Sequence, residues 1–396
     1  MKTILRPLSV AALLPTLAFA VYAPIPEQEQ GKALSYRLGA SAYYDSNIFG
    51  GATNVIDSMV YNVSGAVIYN GSVDDQTFTS ASYELNNDYV EDRPGKKNLT
   101  SHALSARIAH AFAEASNVDV SALYNISKNP QSLLAGQPQN ADQSFKRAQF
   151  DARYTTAAGP KSGVVAKYRF INYAYDSAAL SADLDRSENL FGLEGSYAYL
   201  PETKLVAEYR YQTIAYDTTA TAGNLAKDKT SNYFMAGFDY NPGKQLLVSG
   251  RAGVEKRDRD SGDDATAPYV ELTSRYTYSE GSFLALGYTY AIEEPSDVDN
   301  FTDSNVHRLF VNVQHQISGA LTASGSLTYE PAKLQGRSGR HVDIDEETTR
   351  LGVALTWRPV KNWSFVGSYD YDDVSSDDAN REQNRDRLGV AARYSF

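Results

Sequence analysis

The chain has 396 residues, a formal net charge of −11 and a pI near 5.0, a balance that argues against a nucleic-acid partner. It contains no Cys, which excludes a disulfide framework, thiolate chemistry and Cys-type zinc sites. A mean hydropathy of −0.43 stands beside 29 Tyr and 15 Phe; strands that alternate apolar and polar residues average to such a value, and aromatic girdles at two membrane interfaces use many rings.

The first twenty residues read as a separate unit. Lys2 and Arg6 give a positive start, a mostly apolar stretch from Leu8 to Phe19 is interrupted by Pro15, and Ala18-Phe19-Ala20 is a small-residue cleavage signature. This predicts a signal peptide over 1–20, because the apolar part is too short to span a bilayer. Residues 21–32, with Pro24 and Pro26, read as a periplasmic linker and leave no room for a plug domain. Residues 33–396 are then one domain. No later stretch is apolar for eighteen residues, so no helical span is expected, which leaves a β-barrel open.

The first strand closes on Tyr43-Tyr44-Asp45-Ser46-Asn47-Ile48-Phe49. Asp45 and Asn47 are good turn formers, and Ile48 and Phe49 are placed either to tuck against a barrel rim or to staple the first loop. The run Tyr44 to Phe49 resembles a motif near the start of the putative beta-barrel porin 2 family, where it also follows a signal peptide and a short linker. The resemblance implies an outer-membrane barrel over 33–396, of a kind often encoded with exopolysaccharide synthesis and export genes. It supplies no catalytic residues.

Beyond this motif one pattern repeats. In 164–170, Val164, Ala166, Tyr168 and Phe170 share a face while Lys167 and Arg169 occupy the other; Leu351, Val353, Leu355 and Trp357 alternate with Arg350, Gly352, Ala354 and Thr356. A period of two over such lengths is strand. Strands are expected near 34–44, 58–70, 76–87, 99–113, 117–127, 144–157, 161–175, 187–199, 203–216, 230–241, 244–257, 267–278, 282–292, 304–317, 320–329, 348–358, 362–371 and 385–396. Short Gly-, Pro- and Asn-rich breaks such as Asn241-Pro242-Gly243-Lys244 alternate with longer loops, as periplasmic turns and outer loops do. The predicted fold is all-β: one transmembrane antiparallel barrel of about 18 strands, with 16 as the alternative. A barrel of that size without a plug leaves an aqueous channel. Loop 128–143 either folds into that lumen as a constriction or stays outside.

The chain ends with Leu388, Val390, Ala392, Tyr394 and Phe396 on one face and Arg385, Arg387 and Arg393 on the other. This resembles the last strand of a bacterial outer-membrane barrel, with Tyr394 and Phe396 as the membrane-assembly signal read by the barrel-assembly machinery. Lipid and lipopolysaccharide are then partners of the outer face.

The same alternation sorts the charges. The residues expected to line the pore are Arg147, Arg153, Lys167, Arg169, Glu208, Arg210, Arg251, Glu255, Glu271, Arg275, Arg308 and Arg350. Acids gather in the loops instead, among them Asp258, Glu293, Glu294, Asp345, Glu346, Asp372 and Asp373. The expectation is a basic lumen beneath an acidic mouth. Rings of Arg and Lys suit anions, and the competing reading pairs them with acids on adjacent strands to stiffen the wall. The acidic loops read as a solvated surface rather than cation sites, since none has EF-hand spacing.

Enzymatic chemistry finds little support. Of the five His, His102 and His110 lie eight apart on one strand face, as do His307 and His315; eight residues span about 26 Å, the height of an apolar band, so these pairs mark interfaces. His341 has no evident partner. GxSxG, HExxH and Walker patterns are absent. The reading is a non-enzyme without cofactor or metal: an outer-membrane pore of a Gram-negative bacterium for carbohydrate or anionic solutes, or for exopolysaccharide export. The alternatives are a closed structural or adhesion barrel acting through its acidic loops, and an outer-membrane hydrolase.

Overall fold

A computed structural model describes residues 33–128, 144–218 and 226–396, apart from 244, 263, 296 and 338–340. The expected signal peptide and linker, and nearly all of loop 128–143, lie outside the described residues.

Eighteen strands follow in chain order: β1 (Leu34–Asp45), β2 (Ser58–Ser72), β3 (Thr77–Val90), β4 (Asn98–Ala113), β5 (Ser116–Ser127), β6 (Phe145–Ala157), β7 (Ser162–Tyr175), β8 (Arg186–Leu200), β9 (Thr203–Tyr216), β10 (Lys229–Tyr240), β11 (Leu246–Arg259), β12 (Ala265–Ser279), β13 (Ser282–Glu293), β14 (Phe301–Gln316), β15 (Leu321–Gly336), β16 (Ile344–Val360), β17 (Trp363–Ser376) and β18 (Gln383–Ser395). Each pairs antiparallel with its sequence neighbours, and β18 returns to β1 from Arg37↔Ser395 to Asp45↔Arg387. The sheet is closed, so no edge is left unpaired.

The period of two divides every strand between two faces. On β16, Leu351, Val353, Leu355 and Trp357 are all exposed, and the same holds for Leu388 and Val390 on β18. Their neighbours point inward, where most buried residues are polar or charged. The arrangement inverts a soluble protein and fits lipid outside with a polar interior. All four His of the spaced pairs sit on the outer face with hydroxyl partners: on the adjacent strand His110 with Thr77 at 2.8 Å, His102 with Tyr83 at 2.9 Å and His307 with Tyr288 at 2.9 Å, and two strands away His315 with Tyr278 at 3.1 Å. At the short-turn end Phe396 stacks on Tyr36, centroids 5.3 Å apart, and Tyr394 packs on Trp363.

Strand ends differ most from expectation on the long-loop side. The segment 330–347, read as one loop, is mostly hairpin: β15 runs to Gly336 and β16 starts at Ile344. Pro331, which lacks an N–H, is accommodated where the β14–β15 ladder lapses, since Tyr329 and Ala332 have β14 partners and the two residues between do not. The strands there continue beyond the apolar band as a hydrogen-bonded collar.

Under the long loops the barrel holds apolar side chains. A short helix, α1 (Ala178–Leu184), absent from the sequence reading, buries Leu180 and Leu184 against Tyr175, Ile214, Tyr216 and Val298. Seven residues do not sustain a helix alone; this one stands because its apolar side is covered and Lys227 Nζ donates to the carbonyls of Ala182 and Asp183 at 2.8 and 3.3 Å. Arg337 Nε donates to Val298 O at 2.7 Å. The loops after β7, β9, β13 and β15 are thereby tied into a lid over one side of the mouth.

Candidate functional site: the barrel interior

The first loop is built from the Tyr44–Phe49 run. Asp45 is buried and accepts from Arg385 Nε at 2.9 Å. Ser46 exchanges bonds with Asp386: Ser46 N donates to Asp386 O at 2.9 Å, and Asp386 N donates to Ser46 Oγ at 2.7 Å. Asn47 accepts from Gly51 N at 3.0 Å and donates to Gly51 O at 2.9 Å, bracing the turn with its own amide. Ile48 then buries against Val60, Val90 and Leu99, and the Arg93 guanidinium lies over Phe49 at 5.1 Å. Tyr44 faces outward and donates to Asp57 at 3.1 Å. The motif clasps the seam between first and last strands and staples the first loop inward.

Half of the charged residues expected along the pore fall into two networks. In the first, Lys167 Nζ lies 2.6 Å from Glu194 and 3.0 Å from Glu208; Arg210 lies 2.8 Å from Glu208 and 3.6 Å from Glu271; Arg251 reaches Asp239 at 2.9 Å. Tyr269 donates to Glu271 at 2.9 Å and accepts from Arg210 at 3.1 Å. Three cations here face four carboxylates. In the second, nearer the lid, Arg257 lies 3.0 Å from Glu255, 2.9 Å from Glu294 and 2.6 Å from Asp303, and Lys229 reaches Glu294 at 2.9 Å. Arg259 also pairs with Asp303.

The remaining expected residues are distributed around these networks. Arg308 pairs with Glu293 and Glu330, both at 2.8 Å. Arg169 pairs with Asp151. The guanidinium of Arg147 lies over Tyr173 at 5.6 Å and that of Arg275 over Phe283 at 4.0 Å. Arg153 is half-buried between Asp119 and Lys167 in register. Arg350 stands opposite Asp372.

This corrects the picture of a basic lumen beneath an acidic mouth. Glu293, Glu294, Glu346 and Asp372 were assigned to solvated loops. Each is instead an inward partner: of Arg308, of Lys229 and Arg257, of Arg381 at 3.0 Å and of Arg387 at 2.7 Å. The collar strands keep alternating past the apolar band, so every second acid turns inward, where an unpaired buried charge costs several kcal/mol. Lys229, Arg259 and Asp303 escaped the sequence reading. A register shift at Phe301/Asp303 turns Asp303 inward, whereas a strict period of two groups it with outward His307 and Leu309.

Charges of the lid feel its burial. Asp183 is raised from the usual Asp range, by burial first and then by Asp299. Lys227 is lowered, chiefly by burial. Among the described residues no group of His, Asp and Glu is arranged to hold a metal ion.

A family model described as putative beta-barrel porin 2 matches residues 112–396. No curated protein matches the chain. Among solved structures, OccAB4 of Acinetobacter baumannii is 11% identical with a TM-score of 0.48, covering 93% of this chain and 99% of that one. The outer membrane protein opdK of Pseudomonas aeruginosa is 10% identical at 0.47, covering 92% and 98%. The copper transporter OprC is 11% identical at 0.46, covering 90% of this chain and 63% of the transporter, so this chain spans less than two thirds of that relative.

Proposed function

Because this chain belongs to the putative beta-barrel porin 2 family, we propose that it is an outer-membrane pore passing polar solutes, carbohydrate or anionic, with exopolysaccharide export as the polymeric form of the same task. The observation that carries the reading is the inversion of the two faces: apolar side chains outside on all the strands, a hydrogen-bonded charged interior, and no open sheet edge. Such a barrel is stable only with lipid around it. Its work is passage and selectivity, not bond chemistry. Barrel-assembly machinery reading Tyr394 and Phe396, and lipopolysaccharide around the outer face, are the partners this placement entails.

Selectivity rests on how the interior charges are balanced. The two networks neutralise most cations locally, so they act as a stiff filled wall rather than as a ring of free positive charge. The same filling favours a second reading, a closed structural barrel. Single-channel recording of the purified barrel in a planar bilayer, with reversal potential under a salt gradient, separates the two. A stable conductance supports the pore. No conductance from a demonstrably folded barrel supports the closed reading.

A further inference from the structure

The networks lie on the wall formed by β7 to β14. The opposite wall is different. On β18, β1, β2 and β3 the inward positions are mostly short: Gly39, Ser41, Ser64, Ala66 and Ala391. Small side chains at these places are required by close approach as well as by space, since a Cβ on Gly39 would come within 2.5 Å of Ser64 Oγ. Within this wall, toward the short-turn end, lies a cavity of about 100 Å³. Besides Ser41, its polar lining is Arg37, Arg393, Glu84, Asn62, Asn86 and Ser64. The register brings them together: Glu84 is opposite Ala66, Ala66 opposite Arg37, and Gly39 joins Arg393 to Ser64.

Arg37 and Arg393 differ from the cations of the two networks. Both are half-buried, both border the cavity, and neither holds an ion pair or side-chain hydrogen bond among the described residues. Glu84 is the one carboxylate in the lining, and it accepts from Asn86 at 3.0 Å. Two guanidiniums against one carboxylate leave an excess positive charge in a low-dielectric wall, beside amide and hydroxyl groups that both donate and accept. Guanidinium pairs with carboxylate in a planar, two-pronged geometry, and amides and hydroxyls pair with sugar hydroxyls.

We infer that this cavity is a binding subsite for a carboxylate-bearing saccharide on its way through the barrel, with Arg37 and Arg393 taking the carboxylate and Asn62, Ser64 and Asn86 the hydroxyls. The inference rests on the pore reading and makes it specific: the passage follows the wall of β18, β1, β2 and β3, and among sugars it favours acidic ones. The cavity is small, so it holds part of one residue of a chain rather than a whole oligosaccharide.

The test compares trigalacturonate with maltotriose on the purified full-length barrel. Channel block is read in planar bilayers, and calorimetric binding is read in detergent whether or not the barrel conducts. Trigalacturonate is expected to bind and block at about tenfold lower concentration than maltotriose. Arg37→Gln and Arg393→Gln should each erase that preference, and Glu84→Gln should strengthen it, since it removes the competing charge. Equal affinity for the two sugars, or a preference unaltered in all three variants, overturns the subsite. Binding in detergent with the expected variant pattern but no conductance keeps the subsite and sinks the pore. Conductance without a preference does the reverse.

Discussion

Asp45 and Arg385 stand 340 positions apart in the chain, and Arg385 Nε donates to Asp45 Oδ1 at 2.9 Å across the seam. Both side chains are almost completely buried. A closed sheet has one junction that links the chain's two ends, and its loop-closure entropy is the largest in the fold. A charge-assisted bond is placed there, with Ser46 and Asn47 adding ties to Asp386 and Asn384 on the same strand.

Breaking that pair is expected to cost more than removing it. Asp45→Ala leaves the Arg385 charge buried without its partner and should lower stability by about 3–5 kcal/mol. Asp45→Leu combined with Arg385→Met should recover most of the loss. The urea midpoint, followed through the fluorescence of Trp357 and Trp363, measures both. A single variant as stable as the parent would show that the seam does not depend on this contact.

Phe396 closes the other end of the same seam, exchanging backbone hydrogen bonds with Tyr36 at 3.0 Å in both directions. Replacing it by Ala removes its ring contacts with Tyr36 and Tyr394, about 0.5–1.5 kcal/mol each, a modest change in the purified barrel's urea midpoint. Folded barrel in the cell should fall severalfold, read as the heat-modifiable band on a gel, if the terminal ring is an assembly signal. Unchanged cellular levels would remove that role.

Glu208 sits between Lys167 and Arg210 and is completely buried. Glu208→Gln keeps the shape and deletes one countercharge. The expected outcome is a shift of reversal potential toward anions together with a stability loss of about 3 kcal/mol. If destabilisation occurs without any change in ion preference, the network is a wall and not a filter.

Asp183 ties the lid to pH. Its raised pKa means that the docked lid binds a proton more tightly than the free loop does. Docking is therefore fully favoured below the ordinary Asp value of 3.8 and weakens as pH rises through the raised value. Lys227 acts in the opposite direction, between its lowered value and the ordinary 10.5. Protease cleavage within residues 176–186 should thus be slower at acid pH, after correction with an unstructured peptide substrate, and Asp183→Asn should flatten the dependence. An unchanged profile in that variant would assign the effect elsewhere.

Much of the barrel was legible before any tertiary contact was known. Val164, Ala166, Tyr168 and Phe170 declare an outward face, and Lys167 and Arg169 an inward one, because side chains on a strand point alternately to its two sides. Where backbone geometry departs from that rule, the reading failed. The strand read as 320–329 runs on to Gly336, and Asp303 was hidden by a register shift. The helix Ala178–Leu184 makes no side-chain cap hydrogen bond at Ser177 and depends on Tyr216, at the end of β9, and Val298, from the loop after β13.

The sequence by itself pointed to an antiparallel barrel of about 18 strands with 16 as the alternative, its two faces and its terminal aromatic strand, which follow from local periodicity and turn chemistry; the count of 18 and the closing β18–β1 pairing came from the structure. Only the tertiary structure decided which charges neutralise one another. Glu294 meets Lys229 and Arg257 across 65 and 37 positions, and Arg37 and Arg393 share one cavity from opposite ends of the chain. Coulomb energy depends on distance and surroundings, not on position along the chain, so the contrast between a filled wall and an open one appears only once the sheet has closed.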